Sequence, residues 1–221
     1  LYSGATTIEQ GTLRIGGHLD GTSLEVQSGA RLATGTQAAT GVGYVKAMTL
    51  NAGSASTFRV GSSSWDTIVV NDNDAATVSG THTITPVYQG GLNPGDQREI
   101  IDYNGTLGGS FSDLQLAPGT RFQLVNDVDN SNVVLQYTGG NVIWKGNLSS
   151  TWDVDTTANW LLESDSSVTN YLQGDTVVFN DSATTGTVTL TGTIAPISST
   201  FNNATLDYTL SGSAITAGSL S

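Results

Sequence analysis

Tyr2-Ser3-Gly4-Ala5-Thr6-Thr7-Ile8-Glu9-Gln10-Gly11-Thr12-Leu13-Arg14-Ile15 sets apolar against polar residues in short runs, with glycine where the chain must turn. Period-2 alternation puts successive side chains on opposite faces of a strand. Near the other end, Asp207-Tyr208-Thr209-Leu210-Ser211-Gly212-Ser213-Ala214-Ile215 is written in the same way and stops mid-phrase. Strand text of this kind belongs to stacked repeats, whose ends are open to further copies. Assembly is therefore the first function to weigh, ahead of chemistry.

The cadence continues inward from both ends. Thr12–Ile15 is followed by 23–32 and then 48–60, each a short strand, a small-residue turn with glycine, and another strand. Longer strands follow: Thr67-Ile68-Val69-Val70, Ala76-Thr77-Val78, 83–88 and 99–103, with a turn preset by Pro94-Gly95. Residues 121–125 and 132–137 flank Asn126-Asp127-Val128-Asp129-Asn130-Ser131 as a hairpin. A glycine-rich break at Thr138-Gly139-Gly140-Asn141 divides 1–140 from 141–221. The second part holds Trp144, Trp152 and Trp160, spaced by eight, and the alternating strand Thr187-Val188-Thr189-Leu190-Thr191. The one segment able to form a helical turn or two is Thr156 to Glu163. The expected fold is all-β: a β-solenoid over 1–140, then a Trp-rich β-sandwich or irregular solenoid over 141–221.

Composition removes several function classes. Seven basic residues against 19 acidic ones give a net charge of −12, so phosphate backbones and anionic lipid are repelled. No apolar run approaches the ~18 residues of a membrane helix. There is no cysteine, so ladders and core must hold the chain without disulfides. The start at Leu1-Tyr2, with neither methionine nor signal peptide, predicts a processed product of a longer precursor.

Two tracts resemble a known family. Tyr2 to Ile15 is similar to the autotransporter-associated β-strand repeat, whose phrase is Tyr-x-Gly-x-Thr-x-Ile-x-x-Gly-x-Leu. Trp144 to Ile215 resembles the Trp-rich block of the same bacterial surface proteins, through Trp144-Lys145-Gly146, Trp152-Asp153, Ala158-Asn159-Trp160-Leu161, Gly174-Asp175-Thr176-Val177-Val178-Phe179 and Tyr208-Thr209-Leu210-Ser211-Gly212. The middle, from Gly95-Asp96 through Leu135, is similar to the closing turns of such passenger regions. The resemblance implies an extracellular, secreted or cell-surface β-solenoid, non-catalytic, serving as stalk, adhesin or matrix material. Here the Tyr-x-Gly-x-Thr phrase comes first instead of after Tyr-Thr-Leu-Ser-Gly, and these 221 residues hold no counterpart of the family's membrane-inserting barrel. The inverted order makes the C-terminal end of one copy complementary to the N-terminal end of the next. The expected partner is thus another copy, head to tail, as a fibre subunit or a stalk segment.

The chemical candidates are few. His18 and His82 lie far apart and lack the companions of a zinc site or a catalytic triad. Asp72 with Asp74, and Asp153 with Asp155, are the carboxylate pairs a glycosidase would use, and both sit in turn-like text. Asp127, Asp129, Asn130 and Asn132 alternate as calcium ligands do, without the glycine and glutamate of an EF-hand; Asx-rich turns explain them equally. Calcium at Asp127 and Asp129 is the one cofactor this leaves open. Trp144, Trp152 and Trp160 suit either a sugar platform or a core, with core preferred; Trp65, beside Asp66, reads as packing. Asn104, Asn147, Asn180 and Asn203 match the N-glycan acceptor pattern. No catalytic, metal or cofactor residue is assigned. The alternatives to a structural unit are a carbohydrate-binding adhesin module and, less favoured, a polysaccharide-active enzyme.

Overall fold

A computed structural model describes residues 2–216 and, for backbone alone, 219–220. Described residues are strand and turn throughout, with one short 3-10 turn at Phe111–Asp113. Thr156–Glu163 forms no helical turn: Trp160–Leu162 is a strand, because its alternating side chains reach the core only in extended backbone. The chain divides into two compact units, Leu1–Tyr137 and Thr138–Ser221.

The first unit is built from two ladders of parallel strands. One runs through β1 (Thr6–Ile8), β3 (His18–Val26) and β5 (Val42–Asn51). There it forks, β5 pairing with both β7 (Thr67–Val70) and β8 (Ala76–Ser79). β10 (Gln97–Asp102) continues from β7, and β11 (Gly108–Gly109) from β8. The other ladder is β2 (Thr12–Ile15), β4 (Arg31–Thr34), β6 (Ala55–Val60), β9 (His82–Tyr88) and β12 (Leu114–Leu116). Parallel neighbours cannot be joined by a tight hairpin, so the chain alternates between the ladders and returns a full circuit later.

Register stacks like on like. Ile8, Val26, Leu50 and Val78 lie opposite one another in turn and are all buried. Paired positions step from Thr6 to Leu24 to Met48 to Ala76, and then from Thr77 to Gly108, each step longer than the one before. The second ladder widens in parallel, from Thr12 to Arg31 to Ala55 to Thr83 to Gln115. Between the ladders the turns repeat as well. Gly29, Gly53 and Gly80 hold φ near +80°, and a Cβ on Gly80 would stand 2.8 Å from that of Ala52 in the circuit before. Only glycine suits that left-handed, closely stacked corner.

The far end of the first unit is turned. β13 (Phe122–Asp127) and β14 (Asn132–Tyr137) form an antiparallel hairpin, and β14 lies antiparallel on β10. The hairpin stands where sequence placed it, with its strands extending to Asp127 on one side.

The second unit uses the same grammar around aromatic rings. One sheet orders β18 (Val168–Thr169), β17 (Trp160–Leu162), β15 (Asn141–Trp144), β19 (Thr176–Asn180), β21 (Ser198–Asn202) and β23 (Ser219–Leu220). The first two joins are antiparallel and the rest parallel. The other sheet is β16 (Thr151–Trp152), β20 (Thr187–Leu190) and β22 (Thr209–Gly212), all parallel. Here circuits shrink along the chain: the step from Asn141 to Thr176 is longer than those from Thr176 to Ser198 and from Thr187 to Thr209.

Candidate functional site

A parallel ladder has two ends, and each end leaves an edge strand. Among the described residues β1 pairs with β3 alone and β2 with β4 alone. β22 likewise pairs with β20 alone, and β23 with β21 alone. An edge strand presents a row of unpaired N–H and C=O groups, and proteins usually defend it with lysine, proline or a bulge. Thr6-Thr7-Ile8 and Thr209-Leu210-Ser211-Gly212 carry neither charge nor proline. At the opposite ends one sheet of each unit turns antiparallel, at β14–β13 and at β17–β18, while β12 and β16 are parallel edges like β1, each with one partner among the described residues.

The N-terminal edge lies along a shallow groove. The groove is open, about 490 Å³, and runs along Thr6 to Gln10, Thr12 and Leu13. Thr6 and Ile8 point inward, stacked on Leu24 and Val26, while Thr7 points out. At the C-terminal edge Leu210 points in against Val188 and packs on the aromatic core, while Thr209 and Ser211 point out. Both edges thus offer backbone with the same in–out alternation.

Two buried groups hold the circuits behind the N-terminal edge. The Asp66 carboxylate is fully enclosed: Oδ2 accepts from the Arg59 backbone N–H (2.9 Å) and Nε–H (2.8 Å), Oδ1 from Arg59 Nη2 and Gly41 N–H, both at 2.9 Å. Arg59 Nη2 also donates to Ala39 O at 2.6 Å, so one ion pair ties the 35–41 loop to the 60–66 turn. His82, also enclosed, bridges Ser54 Oγ at Nδ1 (2.6 Å) and Ser56 Oγ at Nε2 (2.8 Å). Burial lowers its pKa to about 4, so the imidazole is neutral at neutral pH. Neither group stands out for this role in the sequence. Asp66 and Arg59 face each other across a turn, and His82 meets its serines only through the stacking of circuits.

Behind the C-terminal edge the tryptophans are core. Trp144, Trp152 and Trp160 are at most 1% exposed and pack edge to face, Trp144–Trp160 at 5.0 Å and Trp152–Trp160 at 5.2 Å. Tyr171 and Phe179 join them, and Phe201 stacks on Phe179 at 4.7 Å. None of the three indoles offers a face to a sugar. Trp65, expected to pack, is instead 37% exposed, with the Arg98 guanidinium over its ring at 5.0 Å. It sits at a surface turn, which leaves the ring at the rim.

Asn159 organises the loop that separates the first two tryptophans. Its buried amide accepts from Leu148 and Ser149 N–H, both at 3.1 Å, and donates to Ser149 Oγ (3.0 Å) and Thr151 O (2.7 Å). Asp175 plays a similar part at Gly140 N–H and Leu172 N–H, each 2.8 Å. Asp181 receives three backbone N–H groups, from Thr205, Ala204 and Leu206 at 2.8–2.9 Å, which lower its pKa to about 2.

The remaining candidates sit in turns. Asp72 faces Lys46 at 3.9 Å, and Asp74, at φ 55°, accepts from Thr106 N–H. Asp153 accepts from Thr157 N–H and Oγ1–H, and Asp155 takes the left-handed φ of 53°. Asp127 accepts from Asn130 N–H and Nδ2–H, an Asx turn at the hairpin tip, while Asp129 is exposed. Asn132 turns away to Glu99 Oε2 at 2.7 Å. Among the described residues no three His, Asp or Glu side chains converge as metal ligands. His18 is exposed, bound to Asp20 at 2.8 Å and stacked on Tyr44 at 4.3 Å, and shares no partner with the buried His82. Asn104 and Asn147 are exposed; Asn180 and Asn203 use their side chains within local turns.

Comparison with protein-family models, with curated proteins and with solved structures finds no match to this chain.

Proposed function

We propose that the chain is a non-catalytic structural unit made of β-solenoid turns, whose exposed ladder edges are continued by further turns of the same kind. The observation that carries this reading is the pair of parallel edge strands β1 and β22, each without charge or proline and each with a single neighbour among the described residues. Strand addition satisfies the edge N–H and C=O groups through backbone hydrogen bonds and needs no side-chain chemistry. A heterologous contact of that type propagates instead of closing. The resemblance of Tyr2–Ile15 and Trp144–Ile215 to autotransporter-associated repeats points the same way, to a fibre subunit or stalk segment outside the cell.

The test is assembly. Light scattering and negative-stain microscopy of the purified chain should show mass rising with concentration and filaments forming. Thr7→Pro, which removes an edge N–H, should suppress both while leaving the tryptophan fluorescence unchanged. Monodisperse monomers at high concentration, with no filaments, refute the proposal.

A further inference from the structure

We infer that Glu99 is a proton-binding residue that fastens the β13–β14 hairpin onto β10 more firmly in acid than at neutral pH. As a neutral carboxylic acid it closes a two-bond pair with the Asn132 amide. Its O–H donates to Asn132 Oδ1 while its other oxygen accepts from Asn132 Nδ2. Nothing in this depends on how the ladder edges are occupied.

A break in the strand pattern builds the site. β10 and β14 meet through a β-bulge between Glu99 and Ile101. Ile100 and Ile101 are consecutive and both buried, so Glu99 and Asp102 come out together on the outer face. Strict alternation would send one of the two inward. Register then sets Asp102 opposite Asn132, and Asn132 opposite Asp127, in one row across β10, β14 and β13. Glu99 stands opposite Val134 and reaches diagonally to Asn132, whose Nδ2 donates to Oε2 at 2.7 Å.

The amide is served at one end only. Asn132 Oδ1 is enclosed and has no donor among the described residues. A buried acceptor without a donor destabilises the fold. An ionised Glu99 cannot supply the donor, because a carboxylate only accepts. A protonated Glu99 can, since a planar carboxylic acid and a planar primary amide each offer a donor and an acceptor along one edge.

The surroundings favour that proton. Burial, and then the negative charges of Asp102 and Asp127, raise the Glu99 pKa above its ordinary value of 4.5, while the Asn132 N–H pulls the other way. Among the described residues no ion pair holds Glu99. Arg98 turns to Gly61 O and Ser62 O and covers Trp65. β7 brings Thr67, whose Oγ1–H donates to Glu99 O at 3.0 Å, and Asp66 before it is taken up by Arg59. β14 carries no charged side chain, and the Tyr103 hydroxyl donates to Asn126 Oδ1.

A proton held more tightly by the folded chain than by the unfolded one adds stability. That stability is complete below pH 4.5 and is lost as pH rises through the higher folded value. Carboxyl-carbon NMR of the full chain, labelled at glutamate, should give Glu99 a midpoint above 4.5, and Asp102→Asn should bring that midpoint down. The Glu99 signal is assigned by its loss in Glu99→Gln. This variant is the neutral isostere, whose side-chain N–H can donate to Asn132 Oδ1 at every pH. At neutral pH, amide exchange over Asn132–Tyr137 should be about fivefold slower in Glu99→Gln than in wild type, the worth of one net hydrogen bond. The two should converge as pH falls below the Glu99 midpoint. Both proteins carry His82, so its opposite pH dependence cancels in the comparison. A midpoint at or below 4.5 overturns the assignment, and so does exchange in Glu99→Gln that is unchanged or faster at neutral pH.

Discussion

Replacing Asn159 with alanine isolates the group that holds the second unit's aromatic core in order. The amide makes four hydrogen bonds, two accepted from Leu148 and Ser149 and two donated to Ser149 and Thr151, in a site with no solvent exposure. Each hydrogen bond contributes about 1 kcal/mol net, and the partners left behind are three backbone groups and the Ser149 hydroxyl. Asn159→Ala should therefore destabilise the second unit by about 4 kcal/mol. Three of the four tryptophans, Trp144, Trp152 and Trp160, lie in this unit, so urea unfolding followed by indole fluorescence reports it. The midpoint should fall with the slope unchanged. Asn147→Ala, at an exposed position two residues beyond Lys145, should change stability by less than about 0.5 kcal/mol. A loss below about 1 kcal/mol for Asn159→Ala would refute the reasoning, since the loop would then be held by its backbone alone.

Three further outcomes follow from the same geometry. His82 has its pKa depressed from 6.5 to about 4, so the unfolded chain binds the proton more readily between those values. Its contribution is intact above pH 6.5 and falls by about 3 kcal/mol as pH drops to 4, and His82→Gln should flatten that slope in urea midpoints measured across the range. Asp181, lowered to about 2 by three backbone donors, contributes stability that is full above the usual aspartate range and lost as pH falls towards 2. Asp181→Ala should speed amide hydrogen exchange at Ala204, Thr205 and Leu206 and leave Leu172, which is held by Asp175, unchanged. Trp152→Ala should cost about 3–5 kcal/mol, so any glycan signal it loses reflects unfolding; Trp65→Ala, at the surface, should cost under about 2 kcal/mol, and unchanged glycan-array signal there leaves ring stacking at Trp65 without support.

Much of the strand text was legible because ladders read directly as alternation. Thr12–Ile15, Ala55–Val60 and Thr187–Leu190 stand as strands, and the hairpin around 126–131 was marked by Asx residues between two apolar runs. What lay hidden depends on distance around a circuit. The Asp66 carboxylate meets Gly41 N–H, 25 residues away, and His82 meets Ser54, 28 residues away. Successive circuits, from Thr6 to Leu24, to Met48 and to Ala76, lengthen at every step and carry no constant period, so no repeat length announces these contacts. Trp65 was misjudged because an indole beside a strand start normally packs, whereas here the guanidinium of Arg98 covers the ring in place of the core. Thr156–Glu163 had enough helix-compatible residues to suggest a turn, but Trp160 and Leu162 are claimed by the sheet through Trp144 and Val142.

The widening of the first unit's circuits also grades the cost of closing them. The hairpin pairs Asp127 with Asn132, close neighbours in sequence, whereas the outermost ladder pair, Thr6 with Leu24, closes a loop more than three times longer. Loop-closure entropy makes the hairpin cheaper to close by about 1 kcal/mol. Among the ladder steps, closure grows cheaper from Thr77–Gly108 through Met48–Ala76 and Leu24–Met48 to Thr6–Leu24, the shortest. The three-residue β1, with a single neighbour among the described residues, is expected to fray readily, which hydrogen exchange at Thr6 to Ile8 would show. A strand that frays presents its row of backbone groups only part of the time, so short length limits what charge and proline leave exposed at that edge.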